Sequence, residues 1–220
     1  MKTRPAEIEN GSMAIITAEL SARGIALPPE NAAVILRCIH ASADFDYAEN
    51  LRFTPGAVSA ALEALRQGAE IVTDTNMALA GVSRPGLQKL QSAAYCYMAD
   101  ERAAQAARAQ GSTRAAAAVD LAAKEHPGAI LAVGNAPTAL LRIAEKIEAG
   151  LRPALVIGVP VGFVNVVESK VRVLETCERH GVPAVVALGR KGGSSIAAAV
   201  CNALLYTASD MLDPKERGWS

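Results

Sequence analysis

Arg37 and His40 stand three positions apart at the end of an expected helix, just before Ala41-Ser42-Ala43-Asp44-Phe45-Asp46. Imidazole is the one side chain that can give or take a proton near neutral pH without a shifted pKa. A guanidinium pairs with carboxylates through a fixed fork of donors. Together they suit proton transfer to an anionic ligand. The same spacing also fits a helix-end histidine favoured by the helix dipole beside a surface arginine, and spacing alone leaves both open.

The helix carrying them is set by Ala32, Ile35, Leu36 and Ile39, which recur at i, i+3, i+4 and i+7 as one buried stripe. At about 100° per residue, Arg37 points nearly opposite that stripe and His40 lies at its border. Pro28 and Pro29 are expected to open this helix. Before it, residues 1–12 read as polar and irregular and residues 13–20 as a helix ending near Gly24. After it, Thr54 and Pro55 read as a cap and first-turn proline, with Gly68 closing the helix between.

From residue 70 onward, short apolar runs at 70–73, 94–98, 129–133, 154–158 and 184–188 alternate with helices. The helices are expected around 76–81, 101–109, 113–125, 136–149, 167–180 and 195–206. Five strands buried on both faces and separated by helices predict an α/β protein with a parallel sheet between helical layers. Five strands suit the flavodoxin-like order 2-1-3-4-5, a three-layer fold, with the N-terminal helices added to it. The chain reads as one domain over 1–220, with a core at about 12–206 and a polar, frayed tail at 210–220.

In such sheets ligands bind beyond the carboxyl ends of the strands. Those ends read Thr73-Asp74-Thr75-Asn76, Gly134-Asn135-Ala136-Pro137-Thr138, Gly158-Val159-Pro160-Val161-Gly162-Phe163 and Gly189-Arg190-Lys191-Gly192-Gly193-Ser194. Three glycine-bearing turns, one with two adjacent cations, predict a wide rim that accepts anions at helix starts. Turns from strand to helix also use glycine without any ligand. Arg114, in the first turn of an alanine-rich helix, opposes the dipole there and calls for a carboxylate partner. Arg84 reads as a surface charge in a loop.

Composition narrows the partners. Lysine plus arginine equals aspartate plus glutamate at 22 each, so no global field recruits nucleic acid or an acidic membrane. No signal peptide precedes the first helix and no apolar run reaches the roughly 18 residues of a membrane span, so a cytoplasmic protein is expected. Cys38, Cys96, Cys177 and Cys201 are scattered in apolar or helical runs and read as reduced, buried thiols. Gly189–Ser194 lacks the order of a P-loop, and no G-x-G-x-x-G follows a first strand. His40, His126 and His180 lie in separate elements, which argues against a metal site, and no nucleophile elbow is present.

Taken together, His40-Ala41-Ser42-Ala43-Asp44-Phe45-Asp46, Thr73-Asp74-Thr75, Gly111-Ser112-Thr113-Arg114, Gly134-Asn135-Ala136-Pro137-Thr138-Ala139-Leu140, Pro160-Val161-Gly162-Phe163-Val164 with Glu168-Ser169-Lys170, and Ala187-Leu188-Gly189-Arg190-Lys191-Gly192-Gly193-Ser194 resemble the precorrin-8X / cobalt-precorrin-8 methylmutase family. They run in the family's order over residues 12–206. The resemblance implies a homodimer with active sites near the subunit interface, no cofactor, and a corrinoid substrate. It implies an isomerase that moves a methyl group from carbon 11 to carbon 12 of the macrocycle, giving cobyrinate or metal-free hydrogenobyrinate. The family's histidine maps onto His40, as proton donor or acceptor, and its substrate-binding residues onto Ser12, Arg37, Ser83 and Arg114, Ser83 acting from the partner subunit. Met13 stands where the family commonly has phenylalanine. The Asp44-Phe45-Asp46 and Leu188-Gly189-Arg190-Lys191 stretches look more like the cobalt-dependent branch.

These expectations fit the residues. A broad ring fringed with acetates and propionates suits arginines and helix starts, and a methyl shift needs no nucleophile or metal, only one tautomer held in place. A non-catalytic corrinoid-binding or carrier protein on the same scaffold is the alternative; it would need the anion rim but not a placed proton donor. A flavin-binding domain rests on fold analogy alone.

Overall fold

The computed structural model of the protein describes residues 4–218. The chain begins with α1 (Pro5–Ala22), α2 (Ala32–Ser42), α3 (Tyr47–Asn50), β1 (Leu51–Phe53) and α4 (Ala57–Arg66). It continues through β2 (Ile71–Thr73), α5 (Asn76–Gly81), α6 (Arg84–Lys89), β3 (Ala94–Cys96), α7 (Glu101–Gln110) and α8 (Arg114–Glu125). Then follow β4 (Ile130–Val133), α9 (Pro137–Glu148), β5 (Leu155–Gly158), α10 (Val166–His180), β6 (Ala184–Ala187), α11 (Ser194–Ala208) and a 3₁₀ turn, Pro214–Arg217.

The sheet has six strands in the order β1-β6-β5-β4-β2-β3. Counting only β2 to β6, which pair in parallel, the order is the expected 2-1-3-4-5. The expectation of five parallel strands is corrected by β1, which adds an antiparallel edge to β6 with Leu51 opposite Ala187 and Phe53 opposite Val185. Thr54 extends that pairing. Its N–H donates to the Ala184 carbonyl at 3.0 Å, and its hydroxyl accepts from the Ala184 N–H at 2.9 Å. It therefore does not cap α4, whose N-cap is Gly56 at φ +70°.

Strand side chains alternate between two cores, as the pleat demands. Ile71, Ile130, Leu155, Ile157 and Val185 face α1, α2, α4, α5 and α11. Val72, Leu131, Val133, Val156 and Val186 face α7 to α10. Small alanines let the helices close on the sheet: Ala197, Ala139 and Ala61 are wholly buried.

Three more expectations change. Residues 5–12 are helical, because α1 begins at Pro5, where a missing N–H costs nothing, and lays Ala6, Glu9, Ile16 and Leu20 inward. Pro28 forms a turn to Asn31, and α2 starts only at Ala32. The tail is not frayed up to Gly218: the 3₁₀ turn is capped by Asp213 and buries Pro214. Residues 1–3, 219 and 220 lie outside the described residues. No described helix is long and apolar enough to cross a membrane.

Candidate active site

The buried face of α2 is Val34, Ile35, Cys38 and Ile39, turned by roughly 80° from the predicted stripe. That turn still leaves Arg37 on the far side of the helix, roughly 130° from the centre of the buried face. Its side chain is only 12% exposed, so it is not the surface arginine that helix geometry predicted. Covering it are α1 and the C-terminal 3₁₀ turn, which the pattern of α2 alone could not foresee.

Arg37 and His40 line a cavity of about 360 Å³ together with Ile8 and Glu9 of α1, Asn202 and Tyr206 of α11, and Arg217. Glu9 Oε1 accepts from Arg37 Nη2 at 2.9 Å and from Arg217 Nη2 at 2.6 Å. The Tyr206 ring lies under both guanidiniums, with centroid distances of 5.3 Å to Arg37 and 4.4 Å to Arg217. Two cations against one carboxylate leave a net positive charge in a largely apolar cavity, where an incoming anion gains far more than in water.

His40 is half-buried, and no hydrogen bond to another described residue engages its ring. Burial lowers its pKa first, and the neighbouring Arg37 lowers it further, with Arg217 adding to this and Glu9 opposing it. The imidazole is therefore neutral at neutral pH and its nitrogens are available to a ligand. The other histidines do different work. His126 caps α8, is paired with Glu70, meets the Tyr97 hydroxyl at 2.7 Å and stacks on Tyr95. His180 ends α10 before Gly181.

Of the other expected contacts, Ser12 stands one helical turn beyond Ile8, and its hydroxyl donates to the Ile8 carbonyl at 2.9 Å. Ser83 caps α6 through the Gly86 N–H, and its own N–H donates to Asn202 Oδ1 at 2.7 Å. Asn202 therefore ties the 81–83 loop to the cavity wall, its Nδ2 also donating to the Gly81 carbonyl at 2.8 Å. Arg84 is exposed but begins α6 rather than lying in a loop. Arg114 is on the opposite helical layer, donating to the Met98 carbonyl at 3.4 Å. It makes no ion pair among the described residues.

The rim at the strand ends is also rearranged. Asp74 takes the N–H groups of Gly134, Asn135 and Ala136, each at 2.8 Å, so the anion seated at the start of α9 belongs to the protein. Burial pushes its carboxyl above the usual carboxylate range, and these three donors only partly offset the rise. Thr75 and Ser194 hydroxyls meet at 2.8 Å across the same edge. Lys170, wholly buried, donates to the Gly189 and Lys191 carbonyls at 2.8 Å each. Lys191 in turn pairs with Asp44 at 2.7 Å and Asp46 at 2.6 Å, joining the stretch after His40 to the 189–193 turn. Gly192 sits so close to β5 that a Cβ there would lie 2.1 Å from the Val159 carbonyl oxygen.

Sequence reading singled out Arg37 and His40 but not Glu9, Asn202, Tyr206 and Arg217, which line the same cavity. None shares a local motif with α2. Glu9 alone left a trace, because it falls on one helix face with Ala6, Ile16 and Leu20.

Known proteins resemble this chain over most of its length. The family profile described as precorrin-8X methylmutase matches residues 7–207. A cobalt-precorrin-8 methylmutase of Salmonella typhimurium is 46% identical over 179 residues, covering 81% of this chain and 82% of that protein. A precorrin-8X methylmutase of Pseudomonas aeruginosa is 40% identical, covering 88% of this chain and 91% of its own. A solved precorrin-8x methyl mutase from Thermus thermophilus superposes with a TM-score of 0.82 at 40% identity, covering 93% of this chain and 98% of the other.

Proposed function

The chain belongs to the precorrin-8X methylmutase family, and on that premise we propose that it moves a methyl group from carbon 11 to carbon 12 of a corrinoid ring, turning cobalt-precorrin-8 into cobyrinate or precorrin-8X into hydrogenobyrinate. Substrate and product are isomers, so any proton given to the ring must be taken back. His40 is the group for that exchange. It lends a proton to the macrocycle, favours the tautomer from which the methyl migrates, and recovers the proton from the product.

The observation that carries this reading is the shared cavity of Arg37 and His40, with its net positive charge. An acetate or propionate of the ring fringe would pair with Arg37 while the ring itself lies against His40. Ser12, one helical turn along α1 from the cavity residue Ile8, would add a hydroxyl contact. Of the two substrates, the cobalt-bearing one is favoured, because the 44–46 and 188–191 stretches look like the cobalt-dependent branch and the relative at 46% identity is a cobalt-precorrin-8 methylmutase.

A macrocycle with its carboxylate fringe is larger than a cavity of about 360 Å³, and Arg114 is on the other helical layer. A homodimer reconciles both facts: Ser83 and Arg114 would reach the ring from a partner subunit. Anaerobic incubation with precorrin-8X and with cobalt-precorrin-8, followed by visible spectra and product mass, tests the function. A change to a corrin spectrum at constant mass is the expected result, faster with cobalt-precorrin-8. Tight binding of both without rearrangement would instead describe a carrier.

A further inference from the structure

Arg217 lies beyond residue 207, where the family match ends, yet its side chain is only 4% exposed and forms part of the His40 cavity. Its position depends on Glu9, whose side chain is 5% exposed and whose one oxygen receives both Arg217 and Arg37. Tyr206 supports both guanidiniums from below. The charged groups reaching His40 are thus Glu9 from α1, Arg37 from its own helix and Arg217 from the 3₁₀ turn, while α11 offers only Tyr206 and the neutral Asn202.

The geometry points to Glu9 and Arg217 as positioning residues for the methyl shift: they aim Arg37 and together set the balance of charge around His40, the cation of Arg217 opposing its protonation and the anion of Glu9 favouring it. This rests on the reading of His40 as the proton-exchanging group. Before binding, the three side chains carry one excess positive charge, which opposes protonation of the ring. A carboxylate on Arg37 cancels that excess. His40 then takes a proton from solvent more readily, at the moment when a macrocycle is present to receive it. Protonation is thereby coupled to substrate binding, through a residue that lies outside the matched family region.

The test is a proton NMR titration of the histidine Cε1–H signals in the full-length, substrate-free protein, the His40 signal being assigned by its loss in His40→Gln. Arg217→Gln removes a cation and should raise the His40 midpoint by about 0.5 in pH or more. Glu9→Gln removes the opposing anion and should lower it. Arg217→Lys keeps the charge and should hold the midpoint within about 0.2 of the parent. Unmoved midpoints, or movement in the same direction for Arg217→Gln and Glu9→Gln, would overturn the inference. If Glu9→Gln fails to fold, the contrast between Gln and Lys at position 217 still decides it. Full turnover by His40→Gln would remove the catalytic reading instead, and leaves the titration result standing by itself.

Discussion

His40 follows Arg37 by three residues on α2, and both reach one cavity while Cys38 and Ile39 between them are wholly buried. A single helix thus serves the core and the site with adjacent residues. Replacing His40 by Ala should lower kcat by roughly 10²–10⁴-fold, the span of a general acid–base group, with little change in substrate affinity. Single-turnover spectra would separate the two effects. Because burial and Arg37 lower the His40 pKa, the neutral form persists below the ordinary value of about 6.5. Because it is the protonated form that lends the proton, kcat/KM should fall as pH rises through the free-enzyme His40 pKa, at a pH below that ordinary value, and a fall only above it would contradict the assignment.

The proposed dimer makes a stricter demand. If Arg114 serves the partner's ring, His40→Ala and Arg114→Ala proteins are each weak alone, but mixed dimers contain one intact site. Co-refolded mixtures should recover up to about a quarter of parental activity if subunits pair at random. Sedimentation should give twice the monomer mass. A monomer, or mixtures no better than the separate variants, would rule the arrangement out.

Asp74 is the internal anion of the α9 start, so its loss should be felt in stability before it is felt in chemistry. Asp74→Ala leaves three backbone N–H groups without their acceptor. The expected cost is about 3 kcal/mol, read from urea unfolding. A cost below about 1 kcal/mol would mean that water replaces the carboxylate freely.

Glu9 links stability to acid. Burial raises its carboxyl, but Arg217 and Arg37 outweigh this and hold it below the usual carboxylate range. A carboxylate lowered in the folded state stabilises the protein above its unfolded pKa of about 4.3, and that contribution is lost as pH falls through the folded value. Glu9→Gln should cost about 3 kcal/mol at pH 7 by leaving two buried cations without their anion. Its penalty should shrink as the parent is acidified. Thermal melts across the acid range would show whether the two proteins converge.

Gly192 offers a purely steric prediction. Any Cβ there meets the Val159 carbonyl oxygen at 2.1 Å, and backbone cannot yield as a flexible side chain can. Gly192→Ala should cost about 3 kcal/mol or more and loosen the turn that Lys170 holds. An alanine variant with an unchanged melting point would show that β5 moves aside.

Much of this was legible in the chain itself. The runs ending at Thr73, Cys96, Val133, Gly158 and Ala187 are apolar on both faces, which only a covered parallel sheet explains. Leu51-Arg52-Phe53 carries too few residues and an exposed arginine, so its strand character comes from β6 and not from its own pattern. Arg37 and His40 could be paired by helical spacing. Arg217 could not, because a polar tail looks solvated until Glu9, from the opposite end of the described chain, supplies its partner. The glycine-bearing turn at Gly134 misled in the other direction: its N–H groups were free in sequence and taken by Asp74 in space.

The edge strand β1 also bears on how the molecule is made. Leu51 has no partner until Ala187 exists, and α2, just upstream, packs on α11, just downstream of β6. Contacts so distant in sequence carry a loop-closure cost that local helices avoid, and they slow folding. During synthesis the helix with Arg37 and His40 leaves the ribosome early and waits for nearly the whole of the remaining chain before it can take its seat. Binding competence is therefore among the last properties the nascent protein acquires.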